Sequence, residues 1–370
     1  MSRPDFVPEQ FANLPWRIIL LVMAIGCFGL IVLYSAASGH IRPWALNQGV
    51  RFFVFLAGAV ILSRVREDLW RDAAFPAYGV LLFLLVLVEL LGAVRGGSQR
   101  WLDLGIIRLQ PSELMKPCIV LACARFYDAL PSGETRRFAA IWPAAVLIGM
   151  PAALVLVQPD LGTALMIVAG GVTVVFLAGV PIRLFVGGAL AAAVATPLAI
   201  NFVLHDYQRN RILRFMDPES DPLGTGYHIS QSKSAIRSGG ILGKGFLNGT
   251  QSHLDYLPEG HTDFVFATMA EEWGLLGGCF IIFGFLMLIR WGVNVGVRAQ
   301  NRFARLTAAG LATTIFFYVA INLAMVMGLA PVVGIPLPLV SYGGSSQMTV
   351  LLCVGILISI DRQNRQGVRW

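Results

Sequence analysis

Residues 205–263 decide how this chain is read. The segment opens His205-Asp-Tyr-Gln-Arg-Asn-Arg-Ile-Leu-Arg-Phe-Met-Asp-Pro218, passes through Ser238-Gly-Gly-Ile-Leu-Gly-Lys-Gly245 and ends Leu257-Pro-Glu-Gly-His-Thr-Asp263. It is the one long polar, Gly-rich, mixed-charge interruption in a chain otherwise made of apolar runs. A connection of this length in a compact domain is either functional or disordered. Its apolar residues, among them Ile212, Leu213, Phe215, Tyr227, Ile236, Ile241, Leu242 and Phe246, argue for order and suit short amphipathic helices lying along a bilayer surface.

Outward from this loop the chain is a membrane protein. Of 370 residues, 56% are hydrophobic and 13% charged, and the mean hydropathy is +0.70, more apolar surface than a soluble fold buries. Windows of about 20 apolar residues predict spans near 16–36, 46–62, 73–94, 111–126, 138–156, 161–179, 184–204, 264–291, 306–329 and 345–360. The expected architecture is an all-α polytopic membrane protein of about ten transmembrane helices, one integral membrane domain over 1–370 with the long loop at 205–263 inside it. A signal peptide is disfavoured, because the first run is longer than an h-region needs and further spans follow it.

Net charge is +7 and the isoelectric point about 9.4. The basic residues are scattered between apolar runs, which excludes a nucleic-acid surface and fits a membrane orientation signal. Arg64, Arg66, Arg71, Arg125, Arg136, Arg137, Arg183, Arg290, Arg298, Arg302 and Arg305 fall in one set of alternate connections; the other short loops hold only Arg42, Arg95, Arg100 and Arg108. The positive-inside rule then puts both termini in the cytoplasm and the long loop outside. The five cysteines lie in apolar runs without metal-ligand spacing and read as packed thiols.

Ionisable residues at the rims of spans carry the chemistry. Gln110-Pro-Ser-Glu-Leu-Met-Lys-Pro117 starts a helix that puts Glu113 and Lys116 on one face, either as a self-neutralising pair or with Lys116 offered to an anionic headgroup. In Gln158-Pro-Asp-Leu-Gly-Thr163, Asp160 is a helix cap or a second carboxylate on the same rim. Gly243-Lys-Gly245 lacks the Ser or Thr and the strand of a phosphate-binding P-loop, leaving Lys244 as a turn residue or a simple anion contact. Asp263 sits where a span begins, either as an N-cap or as a general base with a pKa raised by partial burial. Glu271 and Glu272 follow two turns later, with Gly274 and Gly278 spaced for close helix packing. Residues 334–345, Gly-Ile-Pro-Leu-Pro-Leu-Val-Ser-Tyr-Gly-Gly-Ser, cannot be regular helix and must be protein-buried or line a cavity.

Taken together, Arg95-Gly-Gly-Ser-Gln-Arg-Trp101 and the stretches at 110–117, 158–163, 239–245, 258–264 and 336–345 resemble the SEDS family of bacterial membrane proteins (shape, elongation, division and sporulation), most of all its RodA branch. The resemblance implies a peptidoglycan glycosyltransferase that polymerises lipid II at the outer face of the cytoplasmic membrane during elongation and rod-shape maintenance. The partners it implies are a class B penicillin-binding protein and other membrane proteins of the elongation complex. It places the essential Asp on Asp263 and the further site residues on Glu113, Lys116 and Asp160. Residue chemistry makes Lys116, with the loop arginines Arg209, Arg211 and Arg214, the cations for the substrate diphosphate, and leaves Lys244 as a candidate anion contact. No ligand cluster demands a metal, although a divalent cation (Mg2+ or Mn2+) could share that work. The competing readings are a lipid II flippase or transporter, and a division-type, FtsW-like member of the same family.

Overall fold

A computed structural model describes residues 14–91, 93–95, 98–103, 108–131, 133–202, 225–250 and 259–367. Eleven α-helices run through them: α1 Trp16–Ala36, α2 Trp44–Leu62, α3 Glu67–Leu91, α4 Pro111–Ala129, α5 Phe138–Val157, α6 Leu161–Leu177, α7 Ile182–Phe202, α8 Thr225–Gly239, α9 Val265–Arg298, α10 Arg302–Val326 and α11 Gly344–Gly367. Each of the ten expected spans falls on one of these helices. Seven helices (α1, α2, α3, α5, α9, α10 and α11) are long and apolar enough to cross a membrane, and α6 and part of α7 are shorter apolar helices. The chain is a multi-pass, nearly all-helical membrane protein. Large apolar side chains such as Leu90, Phe138, Leu190 and Val297 point outward along the bundle, as a lipid-facing surface requires.

A small sheet interrupts the helices. Between α3 and α4 the strands β1 (Ala93–Arg95), β2 (Ser98–Asp103) and β3 (Arg108–Leu109) form a small antiparallel sheet in chain order, with Val94 opposite Gln99 and Leu102 opposite Leu109. Strands this short carry no periodicity that a sequence window can detect.

Helix α10 runs through the middle of the bundle, packing on α4, α6 and α9, with Thr307, Thr314, Tyr318 and Asn322 all buried. The end of the bundle away from Asp263 is tied by basic residues. Arg71 and Arg125 both reach Asp128, at 2.9 and 3.6 Å, and Arg302 donates to the carbonyls of Leu130 and Ala178. Those donors satisfy carbonyls that helix ends leave without partners.

Residues 331–343 are irregular and enclosed by protein, as the proline and glycine pattern requires: Leu337, Leu339, Val340 and Ser341 are buried. Helix α1 approaches this segment at Gly29, where a Cβ would lie 2.7 Å from the Leu339 carbonyl oxygen, so only glycine fits.

Helix α9 breaks at Gly274, whose φ of 59° and ψ of −154° belong to a region open only to glycine. The Gly274/Gly278 spacing therefore marks a break and not a smooth packing face. The freed backbone is hydrogen-bonded by the loop, with Lys244 N donating to Glu271 O, Gly245 N to Glu272 O and Leu275 N to Gly240 O, all at 3.0 Å. Pairing of this kind is what allows a broken helix to persist at membrane depth.

Candidate active site

Asp263 lies in a turn over residues 259–264 that leads into α9. The N-cap position belongs to Phe264 and has no side-chain cap, so the Asp263 carboxylate is not used as a helix cap. Its main chain is fixed from α10: Asn322 Nδ2 donates to the Asp263 carbonyl at 2.9 Å and to the Ile335 carbonyl at 2.7 Å. The half-buried carboxylate faces Gly334, where a Cβ would stand 3.6 Å from Asp263 Oδ2. Gly334 is exposed and has a φ of +70°, a backbone conformation that favours glycine.

Two residues earlier, His261 stacks face to face on Trp44, with centroids 4.0 Å apart and an interplanar angle of 8°. Tyr342 N donates to the His261 carbonyl at 2.9 Å, and the Tyr342 ring lies 6.2 Å from the imidazole. Burial pushes the His261 pKa below the usual histidine value, and Glu259 opposes this only in part. Burial thus favours the neutral imidazole.

Asp160 caps α6, accepting from Thr163 N at 3.1 Å. The carboxylate also belongs to a wider network: Gln110 Nε2 donates to Asp160 Oδ2 at 3.5 Å, Ser345 Oγ donates to Gln110 Oε1 at 3.4 Å, and Arg100 Nη1 stands 3.8 Å from Asp160 Oδ2. Arg100 also holds the turn before α6 through the carbonyls of Gln158, at 3.2 Å, and Pro159. The cap and rim-carboxylate readings of Asp160 are therefore compatible. Residues 333–335 join this network to Asp263, because Gly162 packs on the Val333 carbonyl and Ile335 while Asn322 bridges Ile335 to Asp263.

Glu113 and Lys116 are placed differently from a headgroup contact. Lys116 is 1% exposed and donates to Glu113 Oε1 at 2.6 Å and to the Tyr318 hydroxyl at 2.9 Å, while that hydroxyl donates to Glu113 Oε2. The three side chains form a closed, buried cluster between α4 and α10. Lys244 is likewise engaged: its ammonium donates to Glu271 Oε1 at 2.6 Å and to Thr250 Oγ1 at 2.7 Å. Glu271 Oε1, fully buried, also accepts from Thr250 N and Thr250 Oγ1, so the Gly-Lys-Gly element clasps the loop to the broken helix. Glu272 accepts from Ser35 Oγ at 2.5 Å and ties α9 to α1. Arg209, Arg211 and Arg214 lie outside the described residues. Among the described residues no group of three or more His, Cys, Asp and Glu side chains gathers as a metal site.

Four contributors escape the sequence reading. Tyr318 and Asn322 look like ordinary core positions in an apolar span, and Trp44 looks like an interfacial aromatic. Arg51 had a usable signal, an arginine inside the α2 span. It is exposed, its guanidinium lies 5.6 Å over the Tyr342 ring, and a Cβ on Gly344 would stand 3.2 Å from its Cδ and Nη1.

Comparison with known proteins gives consistent relatives. Residues 15–366 match the family model described as FTSW_RODA_SPOVE, cell cycle protein. The chain is 43% identical over 347 residues to peptidoglycan glycosyltransferase MrdB of Escherichia coli K12, covering 94% of this chain and 93% of that protein. It is 36% identical over 364 residues to the probable peptidoglycan glycosyltransferase FtsW of Trichlorobacter lovleyi, covering 96% and 94%. A chain solved in a peptidoglycan synthase complex that coordinates polymerization and crosslinking superposes with a TM-score of 0.83 at 33% identity, covering 95% of this chain and 99% of that one. The rod shape determining protein RodA of Thermus thermophilus superposes with a TM-score of 0.72 at 28% identity, covering 96% and 99%.

Proposed function

The chain belongs to the FtsW/RodA/SpoVE family, and from that premise we propose that it is a peptidoglycan glycosyltransferase that polymerises lipid II during cell elongation. The identity to MrdB, 43% against 36% for an FtsW, favours the elongation branch over the division branch. The active end, carrying Asp263 and Asp160, faces the outside of the cytoplasmic membrane, in keeping with the Arg-rich connections at the opposite end.

The observation that carries the chemical reading is the placement of Asp263: a half-buried carboxylate, unused as a cap, with its main chain fixed by Asn322 and its Oδ2 facing Gly334. In the reaction the 4-hydroxyl of one saccharide attacks C1 of another. The C1–O bond to the diphosphate breaks, and the polyprenyl diphosphate leaves with the bonding electrons. Asp263 accepts the hydroxyl proton as general base. Asp160, with Arg100, Gln110 and Ser345, forms the polar wall that orients the saccharide. The Glu113, Lys116 and Tyr318 cluster supports the floor from below. The loop arginines Arg209, Arg211 and Arg214 contribute charge to the diphosphate, and Lys244 acts by holding the loop through Glu271.

A class B penicillin-binding protein is the proposed partner, supported by the likeness to a chain from a polymerization and crosslinking complex. The test is to incubate the purified protein and that partner with labelled lipid II in detergent. Glycan polymer that persists with a transpeptidase-inactive partner supports the enzyme. Absence of polymer, together with lipid II crossing vesicle bilayers, would instead identify a transporter.

A further inference from the structure

The glycosyl transfer proposed above needs positive charge against a diphosphate, and the described structure commits three cations at this end elsewhere. Lys116 is sealed between Glu113 and Tyr318, Lys244 is held by Glu271, and Arg100 is held by the 158 and 159 carbonyls and Asp160. Arg51 is different. It lies two turns into α2, a helix apolar enough to span a membrane, where an arginine is costly and marks function by default. Its recorded contacts among the described residues are the Tyr342 ring and Gly344, neither of them acidic. Stacking on an aromatic face orients a guanidinium without neutralising it, and keeps its in-plane N–H donors available.

The surroundings favour an anion. Gly344 brings bare backbone to Arg51 where α11 begins, and Gln347 in the first turn of α11 is buried with neither amide atom hydrogen-bonded among the described residues. Gln48, one turn before Arg51, donates to the Ser341 carbonyl at 2.8 Å and ties α2 to the segment before α11. The same segment reaches the catalytic turn, because Tyr342 N donates to the His261 carbonyl. Arg51, Tyr342, His261 and Asp263 therefore form one connected edge of the site.

We propose that Arg51 is a substrate-binding residue that takes the diphosphate of a polyprenyl-linked saccharide, placing the sugar toward Asp263. The proposal rests on the glycosyltransferase reading. A planar guanidinium donates two parallel N–H bonds to a phosphate, whereas an ammonium on the same stem acts as a point charge.

The test uses the protein with its transpeptidase partner in nanodiscs, comparing wild type, Arg51→Gln and Arg51→Lys. Lipid II polymerisation gives kcat and KM, and binding of undecaprenyl diphosphate and undecaprenyl monophosphate is measured separately. For Arg51→Gln, KM for lipid II and Kd for the diphosphate should rise about tenfold, with a smaller change for the monophosphate. Arg51→Lys should recover part of the diphosphate affinity. Equal losses for both lipids would indicate a merely structural effect and overturn the proposal, as would a diphosphate Kd within twofold of wild type. If Arg51→Gln fails to fold, Arg51→Lys decides: a diphosphate-selective loss of about threefold supports the assignment and an unchanged Kd rejects it. Failure of wild type to polymerise lipid II would refute the glycosyltransferase reading, whereas the binding arm reports on Arg51 independently.

Discussion

Replacing Lys116 by Met strands the Glu113 carboxylate in the interior of the bundle. Glu113 is 5% exposed and Tyr318 is 0% exposed, so water cannot take the place of the ammonium, and among the described residues the Tyr318 hydroxyl is the side-chain donor that remains to Glu113. Breaking a buried ion pair from one side costs about 3–5 kcal/mol. Glu113→Gln strands the ammonium in turn and should cost a similar amount. The double variant removes both charges and leaves an amide that can still meet the Tyr318 hydroxyl, so it should cost far less than the sum, with a coupling of at least about 2 kcal/mol. Equilibrium unfolding in mixed micelles, for wild type, both single variants and the double, measures the cycle. Single variants that each cost under about 1 kcal/mol and add in the double would refute the closed cluster.

The break in α9 gives a second outcome: Gly274→Ala should lower stability by about 1–3 kcal/mol or more, because its Cβ would lie 2.4 Å from Gly243 N in a backbone region closed to alanine; detergent unfolding checks it. Glu271→Gln weakens charged hydrogen bonds from Lys244 and Thr250, and should speed hydrogen exchange of the peptides covering 239–250 at least about tenfold. His261 has a folded pKa below its unfolded value, so the unfolded state binds the proton first as pH falls. Stability should therefore decline as pH drops below the usual histidine value of 6.5 toward the lower folded pKa, and His261→Gln should flatten that slope in melting temperatures between pH 5 and 8.

The spans were legible because an apolar run of bilayer length leaves the chain little choice but helix, and each expected run meets one helix of the fold. Asp160 and Asp263 were legible as rim carboxylates, but their roles were not. Whether an Asp at a helix start caps it depends on one residue of register, and α6 uses Asp160 while α9 starts beyond Asp263. The fates of Lys116 and Lys244 were set by partners 202 and 27 residues away, Tyr318 and Glu271, which no local pattern announces. Gly274 was misleading because a packing glycine and a backbone break leave the same mark in sequence. Arg51 could have been found by the rule applied to Glu113 and Lys116, that an ionisable residue inside a span needs a reason.

The most direct measurement is lipid II polymerisation by Asp263→Asn, assembled with the same transpeptidase partner as wild type and checked for an unchanged melting temperature. The amide keeps the shape and cannot accept the hydroxyl proton. A general-base role predicts polymer formation reduced at least about 100-fold with lipid II binding retained. Polymerisation by Asp263→Asn at the wild-type rate would contradict the assignment of Asp263 as the base.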